Sequence, residues 1–280
     1  DKLTHALTVM RQHDLLAEST IDSADPPFVP VAPYEGADAN NRLHSLLGRI
    51  NPNTPFEEGD TNVWLREGPS LFLRLIPSAE NSEFEPLDLL DLMNAADLTD
   101  LLGYRTKGEF YRTRNRDGAA AFSVEAGPSA NNNRFAYGYT QVLTNSEIWG
   151  VDSWLLDPER SKQNSENDWP SIGSHILEEG LINALSQYLK FARDHLKIAT
   201  PLRWVAGMKD IHEHRLAIQD GYSGLSYKNT ITSTGLISDY TTPIHEILLP
   251  FFDAVWREFG KRRPQFMTEI WEGASGFNLE

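Results

Sequence analysis

The stretch of sequence that decides the fold occupies residues 135–156 and reads FAYGYTQVLTNSEIWGVDSWLL. Two runs rich in aromatic and β-branched residues, 135–143 and 148–156, flank the polar segment Thr144-Asn145-Ser146-Glu147. Aromatic and β-branched residues favour extended strands, and asparagine tolerates the positive φ that a tight hairpin turn requires. The stretch therefore predicts an antiparallel hairpin that turns at Asn145-Ser146.

Further strand-forming runs lie on both sides of this hairpin. They occupy residues 61–66, 70–76, 119–125, 202–208, 216–218 and 225–232. The first two runs are separated by Glu67-Gly68-Pro69, a typical turn sequence. The polar segment 157–169 is typical of a surface loop.

Apolar residues at helical spacing predict several helices. They cover residues 1–17, 42–50, 86–102, 173–197 and 242–260. The helix at 173–197 has the strongest stripe, with Leu177, Leu181, Leu185 and Leu189 on one face. We expect Ser171 or Ser174 to cap its start, Gly103 to end the helix that opens at Pro86, and Pro250 to kink or divide the last helix.

Strands that come in hairpins, with single helices between them, indicate an α+β fold. We expect an antiparallel sheet of hairpins covered by a few long helices. The proline-rich segment before residue 61 suggests three regions: an N-terminal helix and connector at 1–60, an α+β domain at 61–263 and a tail at 264–280. Trp271 and Phe277 give the tail an apolar pair that we expect to dock on the parent domain or on another subunit.

Composition excludes several function classes. The chain has 280 residues, 40% of them hydrophobic, a net charge of −15 and no cysteine. Disulfides, thiolate catalysis and cysteine-ligated metal sites are therefore excluded, and the acidic balance disfavours general binding to nucleic acid. No apolar run is long enough to span a bilayer, so we expect no membrane contact, and the absence of cysteine fits a reducing compartment. The start at Asp1, without methionine or a signal sequence, leads us to expect a fragment of a longer protein.

Asp210, His212 and His214 form the first candidate site. Alternating residues of a strand point to the same side, so a strand here would present all three side chains as metal ligands. Gly207 and Gln219 make the segment a near miss to the first histidine motif of cupins. The alternative interpretation is a polar surface turn.

A basic and aromatic segment at 104–116 forms the second candidate site. Its cations are Arg105, Lys107, Arg112, Arg114 and Arg116, and its aromatic residues are Tyr104, Phe110 and Tyr111. Cations beside aromatic rings suit contacts with phosphates and stacked bases. The alternatives are a solvated loop or an internal contact with the acidic N-terminal half.

Local catalytic signatures do not occur in this sequence. It contains no Gly-x-x-x-x-Gly-Lys-Ser/Thr phosphate loop, no Gly-x-Gly-x-x-Gly dinucleotide fingerprint and no Gly-x-Ser-x-Gly nucleophile elbow. The sequence thus favours a non-catalytic protein over an enzyme, and it assigns no cofactor and no oligomeric state.

Two short segments carry a resemblance to a known family. The hairpin QVLTNSEIWGV at 141–151 and the strand LFLRLIP at 71–77 resemble the C-terminal region of bacterial proteins that begin with a Schlafen-type AlbA_2 domain, a family linked to DNA and ATP binding. The long helix followed by Thr200-Pro201-Leu202 also fits. The resemblance covers roughly residues 60–263, and the AlbA_2 domain itself is not recognisable here.

That resemblance implies a regulatory or defence-type protein of the bacterial cytoplasm, with this half sensing or scaffolding. It carries over no catalytic residue. We therefore expect a non-catalytic sensor or interaction module that contacts a protein partner or a domain of its parent chain. The alternatives are a metal-dependent enzyme that uses Asp210, His212 and His214, and contact with nucleic acid or a nucleotide through residues 104–116.

Overall fold

A computed structural model describes residues 46–49, 62–66, 68–77, 84–103, 109–115, 118–124, 134–163, 169–219 and 221–273. The helix predicted at 1–17 lies outside these ranges. None of the helices in the described part of the chain has the length and apolar character of a transmembrane helix.

Twelve strands and five helices make up the described fold. The strands are β1 Leu46–Arg49, β2 Asn62–Leu65, β3 Ser70–Ile76, β4 Glu109–Asn115, β5 Gly118–Val124, β6 Arg134–Leu143, β7 Ile148–Asp152, β8 Ser171–Gly173, β9 Leu202–Lys209, β10 Arg215–Ile218, β11 Gly221–Leu225 and β12 Thr230–Ile237. The helices are α1 Pro86–Ala95, α2 Pro158–Gln163, α3 Ser174–Asp194, α4 Ile244–Glu258 and α5 Gln265–Gly273.

The main sheet confirms the predicted α+β class. Seven strands follow one another in the order β4-β5-β6-β7-β3-β9-β12, and every neighbouring pair is antiparallel. β2 pairs in parallel with the first residues of β6 and antiparallel with β1. A second sheet has the order β11-β10-β8, in which β10 and β8 run parallel.

The predicted hairpin is confirmed as β6 and β7. Val142 lies opposite Ile148, and the Ser146 N–H donates to the carbonyl of Leu143 at 2.8 Å. Ser146, rather than the asparagine before it, takes the positive φ of 70°, while the Asn145 side chain accepts the N–H of Glu147. β7 ends at Asp152 because that carboxylate accepts the N–H of Leu155 and turns the chain.

Several sequence predictions were wrong in detail. Part of the helix predicted at 42–50 is strand β1, and part of the loop predicted at 157–169 is helix α2. The strands at 62–65 and 70–76 form as predicted, but β3 pairs with β7 and β9 instead of with β2. The strand predicted at 225–232 divides into β11 and β12, because Ser226 bonds to His214 and Lys228 and holds a turn between them.

α1 ends well before the predicted cap at Gly103. Asp97 adopts a φ of 52°, and the N–H of Leu98 reaches the carbonyl of Met93 at 3.1 Å. A left-handed residue just after the last turn redirects the chain and satisfies the end of the helix. Asp97 therefore does here what the sequence led us to expect of a glycine.

The two long helices pack on the sheet as predicted. Leu181, Leu185 and Leu189 of α3 are fully buried. α4 continues through Pro250, which is exposed on its outer side, so the hydrogen bond that proline cannot make faces solvent. The predicted caps Ser171 and Ser174 do not form, since Gly173 is the N-cap of α3 and no side chain caps it.

Candidate functional site

A pocket of about 370 Å³ lies where the start of α3, the strand β10 and the helix α5 meet. Its walls are mainly apolar, and they include Ile176, Ile218, Phe266, Met267 and Ile270. Phe266 and Ile270 are 39% and 41% exposed, which is high for large apolar side chains. A concave, mostly apolar space with a few polar groups at its edge is the usual form of a small-molecule site.

The local chain path explains why the pocket forms. β8 leads directly into α3, and its parallel pairing sets Ile172 opposite Leu216 of β10. The start of α3 is thereby held beside β10. The junction is close-packed, because a Cβ at Gly173 would lie 3.2 Å from the Cδ1 of Ile176.

The polar edge of the pocket is the N-terminus of α3. Ser174 and His175 line the pocket, and the first turn of this 21-residue helix contains no acidic residue. Ser174 is only 7% exposed. Free N–H groups and the helix dipole give this end a partial positive charge.

A buried ion pair fixes α5, which forms one wall of the pocket, to α3. The guanidinium of Arg263 donates to both oxygens of Glu178, from Nε at 3.0 Å and from a terminal nitrogen at 2.7 Å. The indole of Trp256 donates to the same carboxylate at 2.9 Å. Arg263 also donates to the Thr268 hydroxyl of α5 at 2.6 Å, so one cation joins α3 to the C-terminal helix.

A second polar cluster lies in the core. Its members are Asp100, Ser123, Thr140, Asp152 and Tyr188, none more than 4% exposed. The Ser123 hydroxyl donates to Asp100 at 2.5 Å, and the hydroxyls of Thr140 and Tyr188 lie 2.6 Å apart. At Gly150 a Cβ would lie 2.0 Å from the Tyr188 hydroxyl, so this contact requires glycine.

Burial dominates the electrostatics of this cluster. It raises the pKa of Asp100 to about 7, against hydrogen bonds from Ser123 and Gly103 that lower it. Burial also raises the pKa of Asp152 to about 7, and the nearby charge of Asp100 adds to the effect. Because these side chains are buried, a change in the protonation of Asp100 or Asp152 near pH 7 alters the stability of the fold.

The candidate metal ligands lie in a turn, and the strand on which that prediction depended is absent at these residues. Asp210 and Glu213 adopt positive φ values of 58° and 62°. His212 is exposed, whereas His214 is buried with its ring nitrogens 3.1 Å from the carbonyl of Leu156 and 3.3 Å from that of His212. Within the described ranges, no group of three or more histidine and acidic side chains has the arrangement of a metal site.

The basic segment is only partly described. Arg112 lies on β4, where its guanidinium donates to Asp97 at 2.5 Å and to the carbonyl of Leu98 at 2.9 Å. It also lies 4.8 Å from the centre of the Phe110 ring. Arg114 is exposed on the same strand. Arg105, Lys107 and Arg116 fall outside the described residues, so nucleic-acid contact by this segment stays a prediction.

The predicted tail begins with a helix. Trp271 belongs to the backbone of α5, but its side chain is outside the described part, as is all of Phe277. Phe266, Met267 and Ile270 were missed as site residues. Their spacing is that of an amphipathic helix, and this signal was available in the sequence.

Comparison with protein-family models, with curated proteins and with solved structures finds no match for this chain.

Proposed function

We propose that this chain is a non-catalytic sensor or interaction module, and that its ligand binds in the pocket between α3, β10 and α5. The observation that carries the proposal is that α5 supplies part of the apolar wall, including the exposed Phe266 and Ile270. An occupant covers these side chains and favours one position of α5. A partner that contacts α5 then responds to the ligand.

The chemistry of the lining supports binding rather than turnover. Among the described residues of the lining, His175 is the one titratable side chain and Ser174 the one hydroxyl. No acidic side chain among the described lining residues is placed to orient the imidazole as a base for nucleophilic catalysis. The apolar walls are suited to holding an alkyl or aromatic group.

The biological setting is part of the same proposal. The resemblance described above suggests a regulatory or defence-type protein of the bacterial cytoplasm. The partner we propose is another protein or a domain of the parent chain.

Amide hydrogen exchange in the presence of 1-decanol, a neutral apolar probe, tests the proposal. We expect the probe to raise the melting temperature and to slow exchange in residues 265–273. Ile270→Glu should abolish both effects. Leu249→Glu is the matched control, because Leu249 is a 36% exposed apolar residue of α4 outside the pocket. Unchanged exchange in α5 up to the solubility limit of the probe would refute the proposal.

A further inference from the structure

The two ends of the main sheet differ in how they are protected against further strand pairing. β4 and β12 are the terminal strands of the seven-stranded run, and β12 pairs with β9 alone among the described strands. We propose that the outer edge of β12 docks a second copy of this chain, which adds its own β12 in antiparallel orientation. The pocket is formed by other elements, so this contact goes beyond the function proposed above.

β12 lacks the features with which natural proteins block an exposed edge. Its sequence, TITSTGLI at 230–237, contains no charged residue and no proline. All eight residues pair with β9 in one continuous register, without a bulge. β4, at the other end, reads EFYRTRN and contains a glutamate and two arginines. Because charges, prolines and bulges prevent edge-to-edge association, β4 is protected and β12 is open to another strand.

The side chains of β12 suit a strand of the same sequence. Opposite residues of an antiparallel pair lie on the same face of the sheet, so a two-fold axis between two copies passes through a residue. An axis at Thr234 sets Thr232 opposite Leu236, which is 45% exposed and becomes covered. It also sets Ile231 opposite Ile237, and both are buried on the core side. An axis one residue earlier would place Ile237 beyond the start of the other strand.

The charges at the two ends of β12 are complementary in this arrangement. Lys228 precedes the strand and stays 70% exposed although it pairs with Glu258 at 3.2 Å, and Asp239, which is exposed, follows the strand. Antiparallel pairing brings the start of each strand to the end of the other, so Lys228 of each copy approaches Asp239 of the other copy. No like charges meet along the strand, which matters for a chain with a net charge of −15.

Sedimentation equilibrium of the full chain at physiological salt tests the proposal. We expect monomers and dimers in exchange with a micromolar dissociation constant, because a contact between two strands is smaller than an obligate interface. Thr232→Lys adds the kind of charge that protects natural edges, and it should weaken the dimer about tenfold or more. Leu87→Lys is the control, since it adds the same charge at a 50% exposed position of α1 and should leave the dissociation constant unchanged. A chain that stays monomeric at millimolar concentration would overturn the proposal, and so would a dimer that Thr232→Lys does not weaken.

Chemical cross-linking tests the register, and the absence of cysteine makes each single-cysteine variant specific. Thr234→Cys places the thiol opposite its own copy at the two-fold axis, so a short bis-maleimide should link two chains about tenfold faster than in Leu87→Cys. Thr232→Cys and Leu236→Cys should link slowly when each is alone and quickly when the two are mixed. The melting temperature of each variant verifies its fold. If neither Thr234→Cys nor the mixture links faster than Leu87→Cys, the two copies do not pair through β12, while the function proposed for the pocket still stands.

Discussion

Glu178 and Asp152 are both buried carboxylates, 1% and 2% exposed, but their surroundings differ. Glu178 meets the guanidinium of Arg263 at 2.7 Å and the indole of Trp256 at 2.9 Å. Asp152 receives a backbone hydrogen bond from Leu155 and lies near a second acid, Asp100. The negative charge of Glu178 is therefore compensated by Arg263, whereas Asp152 stays protonated, and so uncharged, up to about pH 7.

This difference separates two roles for buried acids in one fold. The guanidinium of Arg263 compensates the buried charge of Glu178, and this ion pair links α3 to the C-terminal helices. A carboxyl whose pKa is raised by burial changes its protonation near neutral pH, and its contribution to stability changes with it. The pocket wall on α5 is thus attached through the ion pair between Glu178 and Arg263.

The largest loss of stability should come from removing one partner of the buried ion pair between Glu178 and Arg263. Arg263→Ala leaves Glu178 buried without its cation, and we expect a loss of about 3–5 kcal/mol in the free energy of unfolding. Urea unfolding at pH 7 measures it. The paired replacement Glu178→Leu with Arg263→Met should recover much of the loss, because no buried charge remains. A loss below about 1 kcal/mol in the single variant would mean that water reaches the carboxylate.

The next largest loss of stability should come from a change in the apolar packing of α3 that alters no charge. Leu185 is fully buried on the face of α3 toward the sheet, so Leu185→Ala should cost about 2–5 kcal/mol through lost apolar burial and the resulting cavity. Because no charge is involved, this loss should not depend on pH or on salt. Lys190→Ala, at an exposed position of the same helix, is the control and should change stability by less than about 0.5 kcal/mol. A small effect at Leu185 would contradict the packing of α3 on the sheet.

Local patterns accounted for much of the secondary structure. The hairpin at 134–152, the stripe of α3 and the stripe of α4 depend on neighbours within a few residues, and the sequence predicts them well. Strand partners depend on distant segments, so nothing near residues 62–76 indicates that β3 pairs with β9. The early end of α1 depends on a positive φ at Asp97, which a non-glycine residue rarely adopts and no local pattern signals.

The candidate sites were harder to predict, for the same reason. The pocket joins Ser174, Ile218 and Ile270, which are far apart in the chain and form no motif. Asp100 and Asp152 acquire their raised pKa values only from burial in the fold. The Asp-x-His-x-His pattern is a sequence motif, but its meaning depended on an extended backbone, and the chain turns at Asp210 instead.

Asp152, the buried carboxyl without a cationic partner in this comparison, should make the stability of the protein depend on pH. The folded-state pKa of Asp152 is raised from 3.8 to about 7, so the folded protein holds this proton between about pH 4 and 7 and the unfolded chain does not. Stability contributed by the neutral carboxyl is complete below pH 4 and is lost as the pH rises through 7. Asp152→Asn should therefore match the parent near pH 4 and exceed it by on the order of 2–4 kcal/mol at pH 8.

Asp239 is an exposed acid whose pKa is shifted in the opposite direction, and it serves as the control. Hydrogen bonds from Thr241 lower the pKa of Asp239, so its contribution to stability is present above its ordinary pKa and is lost at low pH. Asp239→Asn should be less stable than the parent at pH 8, and the difference should shrink toward pH 3. If Asp152→Asn instead gives the same difference at pH 4 and pH 8, the raised pKa is wrong.

The smallest effect extends the comparison to a charge pair on the surface. Arg112 and Asp97 meet at 2.5 Å, but the Asp97 side chain is 87% exposed, whereas Glu178 and Arg263 are almost fully buried. Water and salt screen an exposed pair, and Asp97→Asn keeps a residue that tolerates the positive φ, so the variant isolates the charge. We expect a loss of about 0.2–1 kcal/mol at low salt that disappears at high salt. Urea unfolding at two salt concentrations measures it. A larger loss that persists at high salt would mean that the Asp97 side chain stabilises the end of α1. It would also mean that the strength of this charge pair depends on its local geometry more than on its burial.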